Sequence, residues 1–390
     1  PTRRSSDLEE IRELLMLGKN QYEKYSHLKV RVIQKSLEEI NKFRELYKNG
    51  TFEFTKGSEF NIYERGKKRR IKTTVFRDRV PIHSYCENVL LKELRKYLIY
   101  DNCASLKRKG VDMQRDRLRT HLQKYYRKHG TNKGYILKCD FRKFFDNLDH
   151  NKLIKSVEEK LNDVEAMNFF KMVLKQFEVE VPKDDYEMYY NNCFSYIDYC
   201  NREKEDKNNY VKMKKSMGIG NEISQFCGIY YPTKLDNLIK TVMGFKFYGR
   251  YMDDFYIIDN DKNKLMLALE EIKSLCKEMG LYLNGRKTYI QKLNKPFTFL
   301  KVKYILSSTG KVKMILSNQI FTRERVKLKK FKNMLNEGKI EFSVIQSQYR
   351  SWRGNIIRKR KAKYTLGIKI VRDWEDKYEG KGIKKISELN

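Results

Sequence analysis

The chain has 390 residues, room for two or three subdomains, and its 84 Lys and Arg against 50 Asp and Glu leave a formal net charge of +34. That excess answers a polyanion, nucleic acid before any other, while the lack of a signal peptide, lipidation motif or apolar run of roughly 18 residues excludes a membrane-spanning chain and leads us to expect a soluble, cytoplasmic protein. Seven scattered cysteines (Cys86, Cys103, Cys139, Cys193, Cys200, Cys227, Cys276) with no Cys-x-x-Cys pair exclude a disulfide framework or zinc knuckle, and five histidines without ligand spacing exclude a His-based nuclease site.

Residues Pro1 to Asp7 lack an initiating Met and any periodicity, and are set aside as a truncated or foreign start. Apolar residues at helical spacing (Leu8, Ile11, Leu14, Leu15, then Val32, Ile33, Leu37, Ile40, Phe43, Leu46) predict two amphipathic helices in a helical extension over 1–50. Phe60 to Glu64, Arg65 to Arg69 and Arg70 to Val75 read as strand, basic turn and strand. The turn is either a solvated tip or a cationic ribbon able to close over a triphosphate. Helices follow over Ser84–Leu98 and Asp112–Tyr126, flanking a basic loop from Leu106 to Gly110.

Tyr135 to Phe141 reads as a buried strand carrying Asp140 near its end, and a helix begins near Asp149. A polar, tyrosine-rich stretch over about 184–215 looks like an insertion. Gly218 to Gly220 opens a helix to about Val242. The apolar flanks Lys246 to Arg250 and Phe255 to Ile258 then predict a hairpin with Met252-Asp253-Asp254 as its turn, followed by a helix over Lys262–Met279. From Lys301 onward the chain carries 24 Lys and Arg against 8 Asp and Glu, and three helices are predicted in this stretch, about Arg323–Leu335, Glu341–Trp352 and Tyr364–Tyr378. Trp352 and Trp374 are expected in the core of this module.

An isolated Asp-Asp pair at a hairpin tip is ordinarily an exposed Asx-type turn. Joining nucleotides by in-line displacement, however, needs two divalent cations about 4 Å apart, held by carboxylates from separate strands. Asp140 ends one apolar strand and Asp253 and Asp254 cap a hairpin, so adjacent strands would make a three-acid site of oxygen ligands suited to Mg²⁺.

These residues resemble the reverse transcriptases. Tyr251-Met252-Asp253-Asp254 looks like the Tyr-x-Asp-Asp box, Asp140 to Phe145 like the Asp-x-x-x-x-aromatic box, and Gly220 to Gln225 like the Gly-x-x-x-Ser-Gln box. Asn284 to Thr288 is similar to the lysine-bearing segment and Phe297 to Leu300 to the primer-grip hairpin; the boxes stand in family order over roughly Asn61 to Tyr304. The resemblance implies an α+β right-hand polymerase fold: an extension over 1–50, fingers over 51–134, a palm over 135–296 with the insertion, and a primer-grip hairpin and helical basic thumb over 297–390.

It also implies RNA-directed DNA polymerase activity with two Mg²⁺ ions, Mn²⁺ as a substitute, on Asp140, Asp253, Asp254 and the backbone carbonyl of Phe141. Phe145 falls at the steric gate against a ribose 2′-hydroxyl; on the residues alone, core packing is the favoured reading of this aromatic. Arg70 and Lys72, or Lys67 and Lys68 in another register, would meet the triphosphate, with Ile219, Gly220 and Gln225 near the incoming nucleotide. Lys287 would sit near the leaving pyrophosphate, or is a surface lysine. Tyr251, Phe299, Leu300, Arg353, Arg358, Lys359 and Arg360 would contact nucleic acid.

Within the family, Gly218-Ile219-Gly220 stands where Pro-Gln-Gly is usual, and this pattern, with Cys103 to Gly110 and Arg250 to Asp254, resembles enzymes of diversity-generating retroelements and related antiphage-defence systems. There the pattern goes with low-fidelity copying, especially opposite adenine. Gly218 in place of Pro, Lys301 in place of Gly and the long insertion depart from it. A bacterial or phage-encoded enzyme is implied, with an RNA template, a DNA or RNA primer, deoxynucleoside triphosphates, a dedicated structured non-coding RNA and an accessory protein as partners. No ribonuclease H or Cys/His endonuclease module is expected after the thumb. The competing readings are a catalytically silent polymerase-like RNA-binding protein and a template-independent deoxynucleotide polymerase.

Overall fold

The computed structural model describes residues 26–64, 67–201, 209–316 and 318–361. The first predicted N-terminal helix, the third predicted C-terminal helix and Trp374 lie outside them. The strands, in chain order, are β1 (Ser58–Glu64), β2 (Lys67–Thr73), β3 (Tyr135–Asp140), β4 (Val179–Pro182), β5 (Tyr210–Met213), β6 (Phe247–Tyr251), β7 (Asp254–Asp259), β8 (Tyr289–Lys292), β9 (Phe297–Phe299), β10 (Val302–Leu306) and β11 (Val312–Leu316). All named pairs are antiparallel and helices are interspersed, which is the predicted α+β class. Among the described residues no helix is long and apolar enough to cross a membrane.

Two compact units emerge. The first takes in Pro1–Tyr100, Phe141–Leu238 and Ile272–Leu283. Its helix Ser26–Lys48 sets Phe43 and Tyr47 edge-on against Phe169 of helix Val164–Lys175, with ring centroids 6.0 and 5.8 Å apart. β1 and β2 pair from Ser58↔Thr73 to Glu64↔Lys67, so Lys67, Lys68 and Arg69 belong to the strand and the turn is shorter than predicted. The helix predicted to start at Ser84 begins at Phe76 instead, and a π-turn over Cys86–Leu90 continues it.

The tyrosine-rich stretch folds as a module. β4 and β5 pair over Val179↔Met213 to Pro182↔Tyr210, and Val179, Val181, Tyr189, Phe194, Tyr199 and Met213 close a small core. A buried lysine fastens it: the Lys215 ammonium donates to the carbonyls of Tyr189 (3.3 Å), Tyr190 (2.8 Å) and Asn192 (2.8 Å). A buried cation survives only when its donors are met, and three carbonyls meet all three.

The second unit takes in Asp101–Asp140, Ile239–Glu271 and Asn284–Asn390. It holds a four-stranded sheet in the order β6-β7-β3-β8 and a three-stranded sheet in the order β11-β10-β9. Helix Val111–His129 ends on Gly130 in the left-handed conformation, φ 65°, and contributes Leu118, Leu122 and Tyr125 to the core. Ile136, Tyr256 and Ile258 from the first sheet, Phe297, Phe299, Tyr304 and Met314 from the second, and Phe321 and Ile356 from helices Asn318–Asn336 and Phe342–Lys361 complete it. Burying each such side chain contributes about 1.5–3 kcal/mol. Trp352 packs edge-on against Phe321 at 6.1 Å, as the sequence predicts for the thumb-like core.

Candidate active site

β6 and β7 are strands because aromatic residues dominate Phe247–Tyr251 and the aromatic and β-branched run Phe255–Ile258 is buried throughout. Tyr251 pairs with Asp254, which leaves a two-residue turn, Met252 and Asp253, with Met252 at φ 54°. The sequence predicts Asp254 in the turn; the pairing makes it the first residue of β7 instead. On the other side of β7, Asp140 at the end of β3 pairs with Asp254 in register. Side chains alternate along a strand, so Lys138, Asp140 and Asp254 share the face that carries Ile136, Tyr256 and Ile258. The apolar part of that face joins the core beside helix Val111–His129; the acids stand at its end.

Two lysines sit among these carboxylates. Lys287 Nζ lies 2.8 Å from both oxygens of Asp140, and Asn284 Nδ2 donates to the same group at 3.3 Å. Lys138 Nζ lies 3.4 Å from Asp254 Oδ1, a buried oxygen that accepts no hydrogen bond among the described residues. Burial, then the charges of Asp254 and Asp140, push the Asp253 carboxyl up to about 6. Burial also raises Asp254, against the pull of Lys138. Burial lowers the Lys287 ammonium, but its hydrogen bond to Asp140 and the charges of Asp140, Asp254 and Asp253 together outweigh this, and the net shift is upward.

No ready-made cage of three or more His, Cys, Asp or Glu side chains is closed among the described residues. The donor set nonetheless fits a hard divalent cation: three crowded carboxylates, one buried oxygen without a hydrogen bond among the described residues and one acid whose ionisation is opposed by burial and by the charges of its neighbours. A cation there relieves the repulsion that the two lysines now offset.

The hairpin is anchored from beneath. Arg250, fully buried, donates from Nη1 to the Met252 carbonyl at 3.2 Å, and its backbone N–H donates to the Asp101 carbonyl at 3.1 Å. The Gln114 amide donates to the carbonyls of Arg250 (3.0 Å) and Asp101 (2.9 Å). A Cβ at position 249 would lie 2.7 Å from the Gln114 amide and 2.8 Å from the Tyr256 hydroxyl, so only Gly249 admits this approach. The Asp101 carboxylate takes Arg117 and Lys240, each at 2.5 Å, and these bonds hold it below its ordinary range despite the opposing effect of burial. His121 lies between this group and the catalytic strand, with Nδ1 3.0 Å from the Tyr256 hydroxyl. The turn after β9 is held by Arg115, whose Nε donates to the Leu300 carbonyl at 3.0 Å and whose Nη2 does so at 2.5 Å. Leu300 and Lys301 there have φ 44° and 67°, which accounts for the Gly expected at 301.

Asp140, Asp253, Asp254 and Lys287 thus come together in the second unit. Tyr251 is half-buried at the hairpin end and Leu300 half-buried in the turn. Phe299 is a correction: its ring is fully buried, 5.1 Å from Tyr256 and nearly perpendicular to it, so it fills the core and offers no surface to nucleic acid. Arg353 is exposed on helix Phe342–Lys361; Arg358, Lys359 and Arg360 continue that helix, and their side chains lie outside the described residues.

The other predicted residues belong to the first unit. Lys72 donates its backbone N–H to the Ile219 carbonyl at 3.1 Å, and burial lowers its ammonium. Asn221 completes the join, accepting from Thr74 Oγ1 (2.9 Å) and donating to the Lys72 carbonyl (2.8 Å). Gly220 adopts φ 120°, and a Cβ there would meet Ile71 at 2.9 Å, a backbone reason for this glycine. Phe145 is half-buried against Phe144, with centroids 5.3 Å apart, and its carbonyl accepts from Met217 N at 2.8 Å. Gln225 is exposed on helix Glu222–Tyr230, and Phe141 is buried and stacked on Phe144 at 5.2 Å. Arg70 donates from Nε to Glu59 Oε2 at 2.7 Å.

Sequence reasoning passes over Lys138, Glu59, Asp146 and Tyr196. Lys138 was open to discovery, since a lysine two residues before Asp140 on an apolar strand must share its face. Nothing local marks the other three, whose partners are distant in the chain.

A family model described as reverse transcriptase (RNA-dependent DNA polymerase) matches residues 82–304, and one described as initiator Rep protein, WH2, matches residues 7–77. No curated protein matches the chain. Among solved structures it is similar to apo telomerase from Candida tropicalis, at 18% identity and TM-score 0.43 over 72% of this chain and 53% of that one. The same telomerase truncated from the C-terminal domain gives 16% identity and TM-score 0.47 over 71% and 60%. Telomerase from Candida albicans with a TWJ fragment of telomeric RNA gives 15% identity and TM-score 0.43 over 66% and 45%. The chain spans about half the length of the apo telomerase, 53%.

Proposed function

Because the chain belongs to the reverse transcriptase (RNA-dependent DNA polymerase) family, whose model covers residues 82–304, we propose that it copies an RNA template into DNA by nucleotidyl transfer at Asp140, Asp253 and Asp254. The observation that carries this reading is the in-register pairing of Asp140 with Asp254 at the end of β3 and β7, with Asp253 in the adjoining turn. Asp140, Asp253 and Asp254 would hold two Mg²⁺ ions, or Mn²⁺ in their place, and the Phe141 carbonyl, next in the chain, is a further oxygen for them. Bound there, the ions lower the pKa of the attacking 3′-hydroxyl and neutralise the triphosphate. Lys287, whose ammonium now rests on Asp140, is the nearest proton-bearing group to these acids and suits the departing pyrophosphate. Phe145 would exclude a 2′-hydroxyl, and Arg70 and Lys72 would meet the triphosphate.

Within the family, Ile219 in place of the usual Gln supports a diversity-generating retroelement-like or antiphage-defence enzyme working on a dedicated structured RNA. An aliphatic side chain supplies no amide to orient the incoming base.

The test is extension of a primer on an RNA of defined sequence with Mg²⁺ and deoxynucleotides, followed by sequencing. Complementary DNA with errors concentrated opposite template adenine supports both levels of the reading. Accurate complementary DNA supports only the first. An untemplated tract, or tight RNA binding without any incorporation, contradicts it.

A further inference from the structure

The function above makes no use of the tyrosine-rich insertion, yet one of its residues bonds in two directions within the first unit. Tyr196 opens the short helix Tyr196–Cys200. Its backbone N–H donates to Asp146 Oδ2 at 3.1 Å, beside Phe145. Its hydroxyl lies 2.9 and 3.0 Å from the two carboxylate oxygens of Glu59, the group that also accepts Arg70 Nε at 2.7 Å. Neighbours repeat the stitching. Asn147 and Phe194 exchange two bonds, Phe194 N to Asn147 Oδ1 at 2.8 Å and Asn147 Nδ2 to Phe194 O at 3.0 Å, and Lys68 Nζ donates to Asn201 Oδ1 at 3.1 Å. A cavity of about 980 Å³ opens beside these contacts, lined in part by Glu59, Arg70, Lys72, Phe177, Tyr196 and Tyr199.

We propose that Tyr196 is a positioning residue for the incoming nucleotide, aiming Arg70 through Glu59 and fixing the Phe145 loop through Asp146. The inference rests on the reading of Arg70 and Phe145 as nucleotide contacts. An arginine side chain loses rotamer freedom when it is fixed in a complex. Glu59 takes Nε and leaves the terminal fork of the guanidinium to a phosphate, so part of that cost is met before binding. The Glu59 carboxylate needs a second donor to hold one orientation, and the Tyr196 hydroxyl bridges both of its oxygens. The insertion thereby acts on two groups far from it in the chain.

The experiment is single-nucleotide incorporation by the full chain on primed RNA, with Tyr196→Phe, Arg70→Gln, Glu59→Gln and the Tyr196→Phe/Arg70→Gln double variant. Losing one hydrogen bond to a charged group should raise the deoxynucleotide KM of Tyr196→Phe about fivefold with kcat within about twofold. Glu59→Gln should also raise KM, and the double variant should be no worse than Arg70→Gln alone. A KM unchanged by Tyr196→Phe while Arg70→Gln raises it, or effects that multiply in the double variant, overturns the inference and leaves the Arg70 reading standing. An unchanged KM in Arg70→Gln overturns the Arg70 reading, and the inference with it. For the Asp146 arm, Asp146→Ala should weaken discrimination against ribonucleotides while Asp146→Asn, which keeps an acceptor, retains it; equal discrimination in both overturns that arm.

Discussion

Asp254 Oδ1 faces the Lys138 ammonium at 3.4 Å and accepts no hydrogen bond among the described residues, so the charge of Lys138 matters more there than its geometry. At an effective dielectric of about 20, a unit charge at such range is worth up to a few kcal/mol, less with screening. Replacing it in Lys138→Met leaves the three carboxylates less compensated and more in need of a cation. The Mg²⁺ concentration for half-maximal incorporation should fall about fivefold, and calorimetric Mn²⁺ binding should tighten in parallel; weaker binding would contradict the electrostatic account. Phe145 permits a sharper test, because its ring is half-buried and packs only edge-on against Phe144 among its described ring contacts. Phe145→Ala should raise ribonucleotide use relative to deoxynucleotide use by about tenfold or more, the order expected for removing a steric clash worth over 1.4 kcal/mol. Unchanged sugar selectivity would return Phe145 to the core. The three acids were legible as residues from their apolar flanks, and Lys287 from the resemblance of Asn284 to Thr288 to the family's lysine-bearing segment. Arg250, Glu59 and Tyr196 were not, because a role set by a bond to a carbonyl or carboxylate elsewhere in the fold leaves no local periodicity.

Among the elements, the hairpin follows directly from the aromatic and β-branched content of its flanks, and helix Lys262–Met279 is present over the predicted range. The tyrosine-rich stretch reads as polar loop because its core rests on ring packing, such as Tyr189 against Tyr199 at 5.4 Å and against Phe194 at 5.6 Å, which no short-period pattern encodes. Phe299 misleads for a related reason: a motif position was read as a contact, while its strand alternation places the ring inside. Helix Val111–His129 carries a testable pH effect. Burial, foremost, depresses the His121 imidazole to about 4, so the neutral ring is the folded form. A depressed pKa contributes stability in full above the unfolded value of about 6.5, and that contribution is lost as pH falls toward 4. On the order of 3 kcal/mol is at stake. Urea midpoints for the second unit should drop between pH 7 and pH 4.5, and His121→Gln should flatten the drop; an equal slope in both proteins would remove His121 as its cause.

For the whole molecule, a net charge of +34 predicts binding to RNA dominated by phosphate contacts. Each neutralised phosphate on a single strand contributes a slope of about −0.7 in log affinity against log salt, so a binding slope steeper than about −3 is expected from filter or fluorescence titration. A shallow slope would point to recognition by base contacts. The charge and the order of the boxes were plain in the sequence, whereas the presence of two lysines among the three carboxylates appears only once the strands are paired. That pairing is also the core of the functional account. Its most direct test is single-turnover addition of one deoxynucleotide to a primer on RNA, comparing the natural chain with Asp253→Asn under conditions where both bind the primed RNA equally. The account predicts a fall of at least about a thousandfold in the rate of the variant, the scale of losing transition-state charge stabilisation. Addition at the natural rate would contradict it.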